Sequence, residues 1–304
     1  LTGSQIFRLM HGVQESLAGR VAVLHMSPLS QRELISAQPR PFSTCFEALL
    51  EDSKNISPLT TPEIFERIWN GCMPGLAGGA YTDRNIFYSS YLSTYIERDV
   101  RELSGTIDAL KFSRFITAVA ARAAQMVNYQ AIADDAEVDK ATAKKWLEIL
   151  ETLGIIFLLH PFSNNVLKRT IKSPKLYFYD TGFVCYLTRW SSPEVAESGA
   201  MSGALLENFA VSEIMKSYQN VGETPYMHYY RDRDAREIDV ILEGDGKLCP
   251  LEIKKTTTPD KRITRAFKLI DKSPLELGTS AVLCMTDKLS AFDSKNLIVP
   301  IWLI

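Results

Sequence analysis

Two apolar segments separated by a tight turn, near the C-terminal end, constrain this chain more than any other feature of its sequence. Residues 237–242 and 248–254 are each predicted to be strands, and the Gly-Asp-Gly sequence between them favours a hairpin. Side chains alternate between the two faces of a strand, so Glu252 and Lys254 point the same way. Antiparallel pairing across the turn can bring Asp239 beside them.

These three side chains suit the hydrolysis of a phosphodiester. Asp239 and Glu252 could bind Mg²⁺ or Mn²⁺, which in proteins keeps several water ligands. Lys254 could orient or help deprotonate a metal-bound water and offset the charge of the phosphate. The alternative, left open by the sequence, is that these polar side chains simply face solvent.

Glu207 is a fourth candidate, on a helix predicted over residues 203–218. It is the only charged residue in the stretch 204–211, and helical spacing places it among apolar side chains. A carboxylate in such a position is costly without a partner. A metal ion, a metal-bound water or a lysine would supply that partner, and a plain salt bridge is the structural alternative.

The order of a helix acid, a strand Asp, a hairpin and then E-x-K resembles the PD-(D/E)-x-K, restriction-endonuclease-like superfamily. The family's Pro-Asp is here Ile238-Asp239, a departure that is common in the superfamily. The resemblance implies an α/β domain over residues 191–304 that acts on DNA. It also implies catalytic roles for Glu207, Asp239, Glu252 and Lys254, with Asp239 and Glu252 as the metal ligands.

Residues 107–190 have the order of elements of a winged helix-turn-helix. A helix, a short helix, a three-residue turn, a second helix over 140–153 and a β-hairpin follow one another. Cations on the second helix and the hairpin could contact phosphates. They are Lys140, Lys144, Lys145, Lys168, Arg169, Lys172 and Lys175. Acidic residues flank them, so a solvated face or a protein-contact role is the alternative.

Residues 1–36 resemble the end of an AAA-type P-loop ATPase core. Residues 1–5 are similar to a sensor strand, and residues 15–20 to the motif whose arginine acts at the ATP γ-phosphate, which would be Arg20. The alternative is a surface arginine at a helix end. Because the chain begins at Leu1, inside a strand-like segment, we expect it to be part of a longer polypeptide.

The phosphate-binding loop of such ATPases is absent from the sequence. No G-x-x-x-x-G-K-[ST] motif occurs, so we expect ATP to bind only in the full-length protein. Residues 37–106 are predicted to form a helical connector between the ATPase remnant and the winged helix. The whole chain thereby resembles an ATPase family in which a P-loop domain precedes a winged helix and a nuclease-like domain.

Composition excludes several other classes. Hydrophobic residues make up 46% of the chain, as in ordinary globular proteins, and no apolar run approaches the roughly 20 residues of a membrane span. The five cysteines lack C-x-x-C spacing, so we expect reduced core thiols in a cytoplasmic protein, without a zinc site. The net charge of −2 leaves nucleic-acid binding to local patches.

The sequence therefore predicts a multi-domain α/β chain: the end of an ATPase core, a helical connector, a winged helix-turn-helix and a restriction-endonuclease-like domain. The expected function is DNA processing by metal-dependent phosphodiester hydrolysis, gated by ATP in the full-length protein. The alternative is a non-catalytic nuclease-like scaffold that, with the winged helix, binds DNA or protein and regulates the ATPase. DNA is the expected partner, no membrane is expected, and a protein partner or self-association is left open.

Overall fold

The computed structural model describes residues 26–105, 108–163, 173–271 and 273–304. Within them the chain is mixed α/β, with helices in the first two thirds and a mixed sheet in the last third. Arg20 and the rest of the ATPase-like segment up to residue 25 lie outside the described residues, as do Lys168, Arg169 and Lys172 of the predicted hairpin.

Short helices occupy the region before residue 105. They are α1 (Gln31–Leu34), α2 (Phe46–Asn55), α3 (Thr61–Asn70), α4 (Pro74–Ala77), α5 (Arg84–Ser90) and α6 (Glu97–Ser104), with a π-helix (Tyr91–Ile96) joining the last two. Reciprocal capping boxes fix the starts of α1 and α3: the Ser30 and Thr60 side chains accept hydrogen bonds from the backbone N–H of the third helical residue, and the glutamates there return them.

A compact run of helices and two strands follows. It consists of α7 (Ala109–Ala120), α8 (Tyr129–Ala136), α9 (Lys140–Thr152), β1 (Ile156–Leu159) and β2 (Lys175–Phe178). Glu137 adopts a left-handed conformation and ends α8, and the Asp139 carboxylate then caps α9 by accepting from Thr142 N at 2.8 Å. β1 and β2 pair antiparallel.

Three helices connect this part to the sheet: α10 (Thr181–Leu187), α11 (Pro193–Ser198) and α12 (Ser202–Gln219). α12 packs beside β2, and one side chain fixes the contact. The buried Asn208 amide accepts from Phe178 N and donates to Phe178 O, both at 2.8 Å. This pairing sets which α12 residues face which β2 residues.

The main sheet has the strand order β3-β4-β5-β7-β9-β8, with β6 pairing with β5. Its strands are β3 (Tyr226–Arg231), β4 (Glu237–Gly244), β5 (Lys247–Lys254), β6 (Glu276–Leu277), β7 (Ser280–Cys284), β8 (Ser290–Asp293) and β9 (Asn296–Pro300). β3, β4 and β5 are antiparallel, whereas β5, β7 and β9 are parallel. The apolar run at residues 297–304 predicts one buried strand, and this prediction is wrong beyond Pro300, where a 3₁₀-helix (Ile301–Leu303) begins.

Two hydrophobic clusters cover the two faces of this sheet. The larger cluster contains residues from both the helical part and the sheet, between Phe42 and Ile304 in the sequence, so the two parts share one core. Leu251 of β5 belongs to this cluster. The smaller holds Leu248 of β5 and lies under a second 3₁₀-helix (Lys261–Ile270). Leu248 and Leu251 have opposite strand parity, so α12 and this 3₁₀-helix pack on opposite faces.

The cysteines only partly match the expectation of buried thiols. All five are free, and three are buried, but Cys45 is exposed just before α2 and Cys249 is half-buried. The prediction of a core thiol is therefore wrong for Cys45. Among the helices that the structure describes, none combines the length and apolar character needed to cross a membrane.

Candidate active site

The β4–β5 hairpin brings Asp239, Glu252 and Lys254 together. Lys254 Nζ lies 2.7 Å from Glu252 Oε1 and 3.6 Å from Asp239 Oδ2. The strand pairing that starts at the turn extends to Val240, and beyond it Asp239 Oδ2 accepts a hydrogen bond from Ile253 N at 2.8 Å. The Asp239 side chain thus takes the place of a backbone acceptor and lies beside the end of β5.

Both carboxylates of this hairpin are buried, since Asp239 is 6% and Glu252 7% exposed. Burial, together with the charge of Asp239, raises the pKa of Glu252 to about 7. Burial opposes the charge on Lys254, but the nearby Asp239 and Glu252 carboxylates outweigh it, so the pKa of Lys254 is raised. Glu252 Oε2 is buried and has no hydrogen-bond partner among the described residues.

Glu207 faces β2 from α12 and is paired there. Its Oε1 accepts from Lys175 Nζ at 2.8 Å and from the Tyr177 hydroxyl at 2.7 Å. Lys175 Nζ also forms an ion pair with Glu237, at the start of β4. Burial and the charge of Asp239 raise the pKa of Glu207, while Lys175 and Tyr177 hold it down in part. The partner that a buried Glu207 requires is therefore a lysine.

The two ion-paired groups form one electrostatic cluster. The charge of Glu207 contributes to raising the pKa of Lys254, and the charge of Asp239 contributes to raising the pKa of Lys175. Asp239 lies between the two groups along β4, two residues from Glu237. We call the six side chains the acidic cluster; they are Glu207, Glu237, Asp239, Glu252, Lys175 and Lys254.

Lys175 corrects one expectation from the sequence. It was predicted among the phosphate-contacting cations of the hairpin, but it is 4% exposed and both its ion pairs lie inside the protein. The packing of β2 against α12 buries it. Its role and that of Glu237 were missed, although Lys175 and Tyr177 stand two residues apart on one strand and so share a face.

Asp239 and Glu252 are the side chains of the cluster that could hold a divalent cation. In the part of the chain that the structure describes, no three His, Cys, Asp or Glu side chains are grouped closely enough to hold a metal ion. Mg²⁺ is nevertheless commonly bound through one or two carboxylates. Asp239 and Glu252 offer such oxygens, and Glu252 Oε2 has no hydrogen-bond partner in the described parts of the chain. Glu207 is engaged by Lys175 and Tyr177.

The predicted DNA-contacting lysines of α9 lie elsewhere on the molecule. Lys140, Lys144 and Lys145 are exposed, while the opposite side of α9 buries Trp146 and Leu150 in the core. Lys144 Nζ lies 3.8 Å from the carboxylate of Glu148, one helical turn on. These positions allow contact with a partner and do not identify one.

Comparisons with known proteins divide the chain into two parts. Residues 61–194 match a family described as a domain of unknown function (DUF8612), and residues 202–304 match another described as a domain of unknown function (DUF4143). The second is a domain found in AAA-ATPase-associated proteins. All four predicted catalytic residues lie within it.

Two longer mycobacterial proteins are similar to this chain. An uncharacterised protein of Mycobacterium bovis and one of Mycobacterium tuberculosis are each 26% identical to it over 285 residues. The match covers 93% of this chain and 57% of each relative, so the chain spans a little over half the length of these curated relatives. No solved structure matches the chain.

Proposed function

We propose that the acidic cluster is the active site of a metal-dependent nuclease. In this proposal residues 191–304 form a restriction-endonuclease-like domain, and residues 107–190 form a winged helix-turn-helix that helps to hold DNA. The observation that carries the proposal is the hairpin itself. It holds two buried carboxylates, Asp239 and Glu252, around Lys254 Nζ, and one buried Glu252 oxygen has no partner among the residues that the structure describes.

Each side chain of the cluster has a role in this reaction. Asp239 and Glu252 would hold a Mg²⁺ or Mn²⁺ ion, which lowers the pKa of a bound water when present. Lys254, which the two carboxylates keep as an ammonium, orients the attacking water and offsets the charge of the phosphate. Glu207, held in place by Lys175 and Tyr177, supports the same water from the side of α12.

The free-energy cost of burying the charges of this cluster also favours a chemical role. Three of the six charged side chains, Asp239, Glu252 and Lys175, are buried, and taking such charges out of water opposes folding. Well-packed apolar residues of similar volume often give equal or greater stability than a buried ion pair. A cluster of this kind is therefore better explained by what it binds than by a contribution to stability.

We further propose that ATP hydrolysis elsewhere in a longer protein gates this site. The similarity of residues 202–304 to a domain of AAA-ATPase-associated proteins supports the link. The length of the mycobacterial relatives leaves room for a nucleotide-binding part. In this proposal ATP is the cofactor of the longer protein, and Arg20 contacts its γ-phosphate.

A non-catalytic scaffold is the second candidate, and one observation favours it. Lys254 already pairs with both hairpin carboxylates, and no third metal-ligating side chain joins them among residues 26–105, 108–163, 173–271 and 273–304. A nuclease-like domain with its charges so neutralised could bind DNA or a protein and regulate the ATPase without cleaving anything.

Plasmid nicking separates the two candidates. With Mg²⁺ or Mn²⁺ we expect the parent protein to nick supercoiled DNA, and Asp239→Asn or Lys254→Ala to lower the rate by about 100-fold or more. Asp245→Asn is the matched control, since it removes an exposed carboxylate from the turn of the same hairpin. Nicking that survives both site variants would reject the nuclease, and a parent that binds DNA without nicking it would favour the scaffold.

A further inference from the structure

The 3₁₀-helix at Lys261–Ile270 presents one row of positive charge to solvent. Its backbone hydrogen bonds join each N–H to the carbonyl three residues earlier, as from Ile263 N to Asp260 O and from Asp271 N to Lys268 O. Side chains three residues apart eclipse one another in such a helix. Phe267 and Ile270 are buried against the sheet. The exposed row consists of Arg262, Arg265 and Lys268.

The spacing and pairing of this row leave its charge available. A 3₁₀-helix rises about 2.0 Å per residue, so successive cations stand about 6 Å apart along it. Arg262 pairs with the exposed Asp260 at 2.7 Å. In the portion of the chain described by the structure, Arg265 and Lys268 take part in no ion pair. The helix itself contains no acidic residue.

The row also adjoins the strands that carry the acidic cluster. The helix packs on β4, β5 and β7, and it starts seven residues after Lys254, the last residue of β5. The lysines of α9 stand among three exposed acidic residues, Glu137, Asp139 and Glu148, whereas the row is flanked by two, Asp260 and Asp271.

We propose that Arg262, Arg265 and Lys268 bind consecutive phosphates of a DNA duplex and hold its backbone beside the acidic cluster. The inference rests on the proposed function for the identity of its partner, because the carboxylates of a nuclease site repel DNA unless nearby cations offset them. The complementarity lies in a linear row of cations facing a linear row of phosphates. The row does not distinguish one DNA sequence from another, since contacts with phosphates do not depend directly on the identity of the bases.

The test is the salt dependence of DNA binding in metal-free buffer, measured by fluorescence anisotropy with a labelled duplex. Each phosphate contact contributes about 0.9 to the slope of log K against log salt. Replacing all three cations by Gln should therefore lower the slope by about 2 to 3 and weaken binding at least tenfold at low salt. The matched control carries Gln at Lys54, Arg101 and Arg189, three exposed cations outside the row and outside α9, and far-UV circular dichroism confirms folding of both variants.

The outcomes distinguish this inference from the nuclease proposal. An unchanged slope in the row variant, or a parent that does not bind the duplex, would overturn the inference. A loss in the matched control as large as that in the row variant would overturn it too. Charge reversal of Arg265 alone gives a second, milder variant with the same expected direction. Because no metal is present, a row variant that loses affinity supports the inference even if the parent never nicks DNA.

Discussion

Removing the Lys175 charge tests the two ion pairs that Lys175 forms with Glu207 and Glu237 in the acidic cluster. Lys175 Nζ is shared by Glu207 and Glu237, and the side chains of the three residues are 5%, 18% and 22% exposed, respectively. Removing one partner of a buried ion pair costs about 3–5 kcal/mol, because the other charge is left unpaired. Both carboxylates keep some contact with solvent, so we expect Lys175→Met to lower the free energy of unfolding by about 3 kcal/mol.

The assay is urea denaturation at neutral pH without metal, followed by circular dichroism and tryptophan fluorescence. Lys175→Met leaves the Glu207 and Glu237 carboxylates without their lysine. Adding Glu207→Gln removes one of these two unpaired charges, so the double variant should be more stable than Lys175→Met alone by about 1 kcal/mol. Lys247→Met is the matched control, since Lys247 is exposed on β5. It should change the free energy of unfolding by less than about 0.5 kcal/mol.

Two results would refute this reasoning. A loss below about 1 kcal/mol in Lys175→Met would mean that the two carboxylates do not depend on the lysine. A double variant no more stable than the single variant would mean that loss of Lys175 does not leave Glu207 as an unpaired buried charge. Either result would also remove the support that Lys175 is proposed to give Glu207.

Two further variants address the site and its surroundings. The pKa of Glu252 is raised from its ordinary 4.5 to about 7 in the folded chain; the folded state therefore holds the proton more tightly. Its contribution to stability is complete below pH 4.5 and is lost as pH rises to 7, on the order of 3 kcal/mol. Urea titrations across this range should show that fall in the parent and a flatter profile in Glu252→Gln; equal slopes would contradict the assignment. Gly71→Ala should lower the melting temperature, because Gly71 has φ of 80° and a Cβ there would overlap the Tyr88 hydroxyl and lie 2.7 Å from Asp180 Oδ1. Gly203→Ala, on α12 with open space around it, is its control and should be neutral or stabilising.

The hairpin geometry was accessible from sequence because it is local. Asp239 and Lys254 are separated by one short turn, and strand alternation fixes which side chains share a face. The same holds for the helices of residues 109–152, whose apolar spacing and caps mark both ends. Local signals of this kind need no knowledge of how distant elements pack.

The Lys175–Glu207 pair was not accessible in the same way. It joins residues 32 positions apart and depends on α12 docking on β2, which the Asn208 amide secures. The apolar spacing of residues 263–270 predicts a helix, but eight residues do not distinguish a period of three from one of 3.6. The cationic row therefore emerged only from the structure. Pro300 was a readable signal for the end of β9, since proline disfavours a continuing central strand.

Direct titration with Mn²⁺ tests the central claim, that Asp239 and Glu252 are the ligands of a divalent cation. Isothermal calorimetry on the metal-free parent should give one Mn²⁺ per chain. Asp239→Asn combined with Glu252→Gln should abolish binding, while Asp245→Asn should leave it unchanged. Equal Mn²⁺ affinity in the parent and the double variant, or no binding by the parent at millimolar metal, would contradict the account.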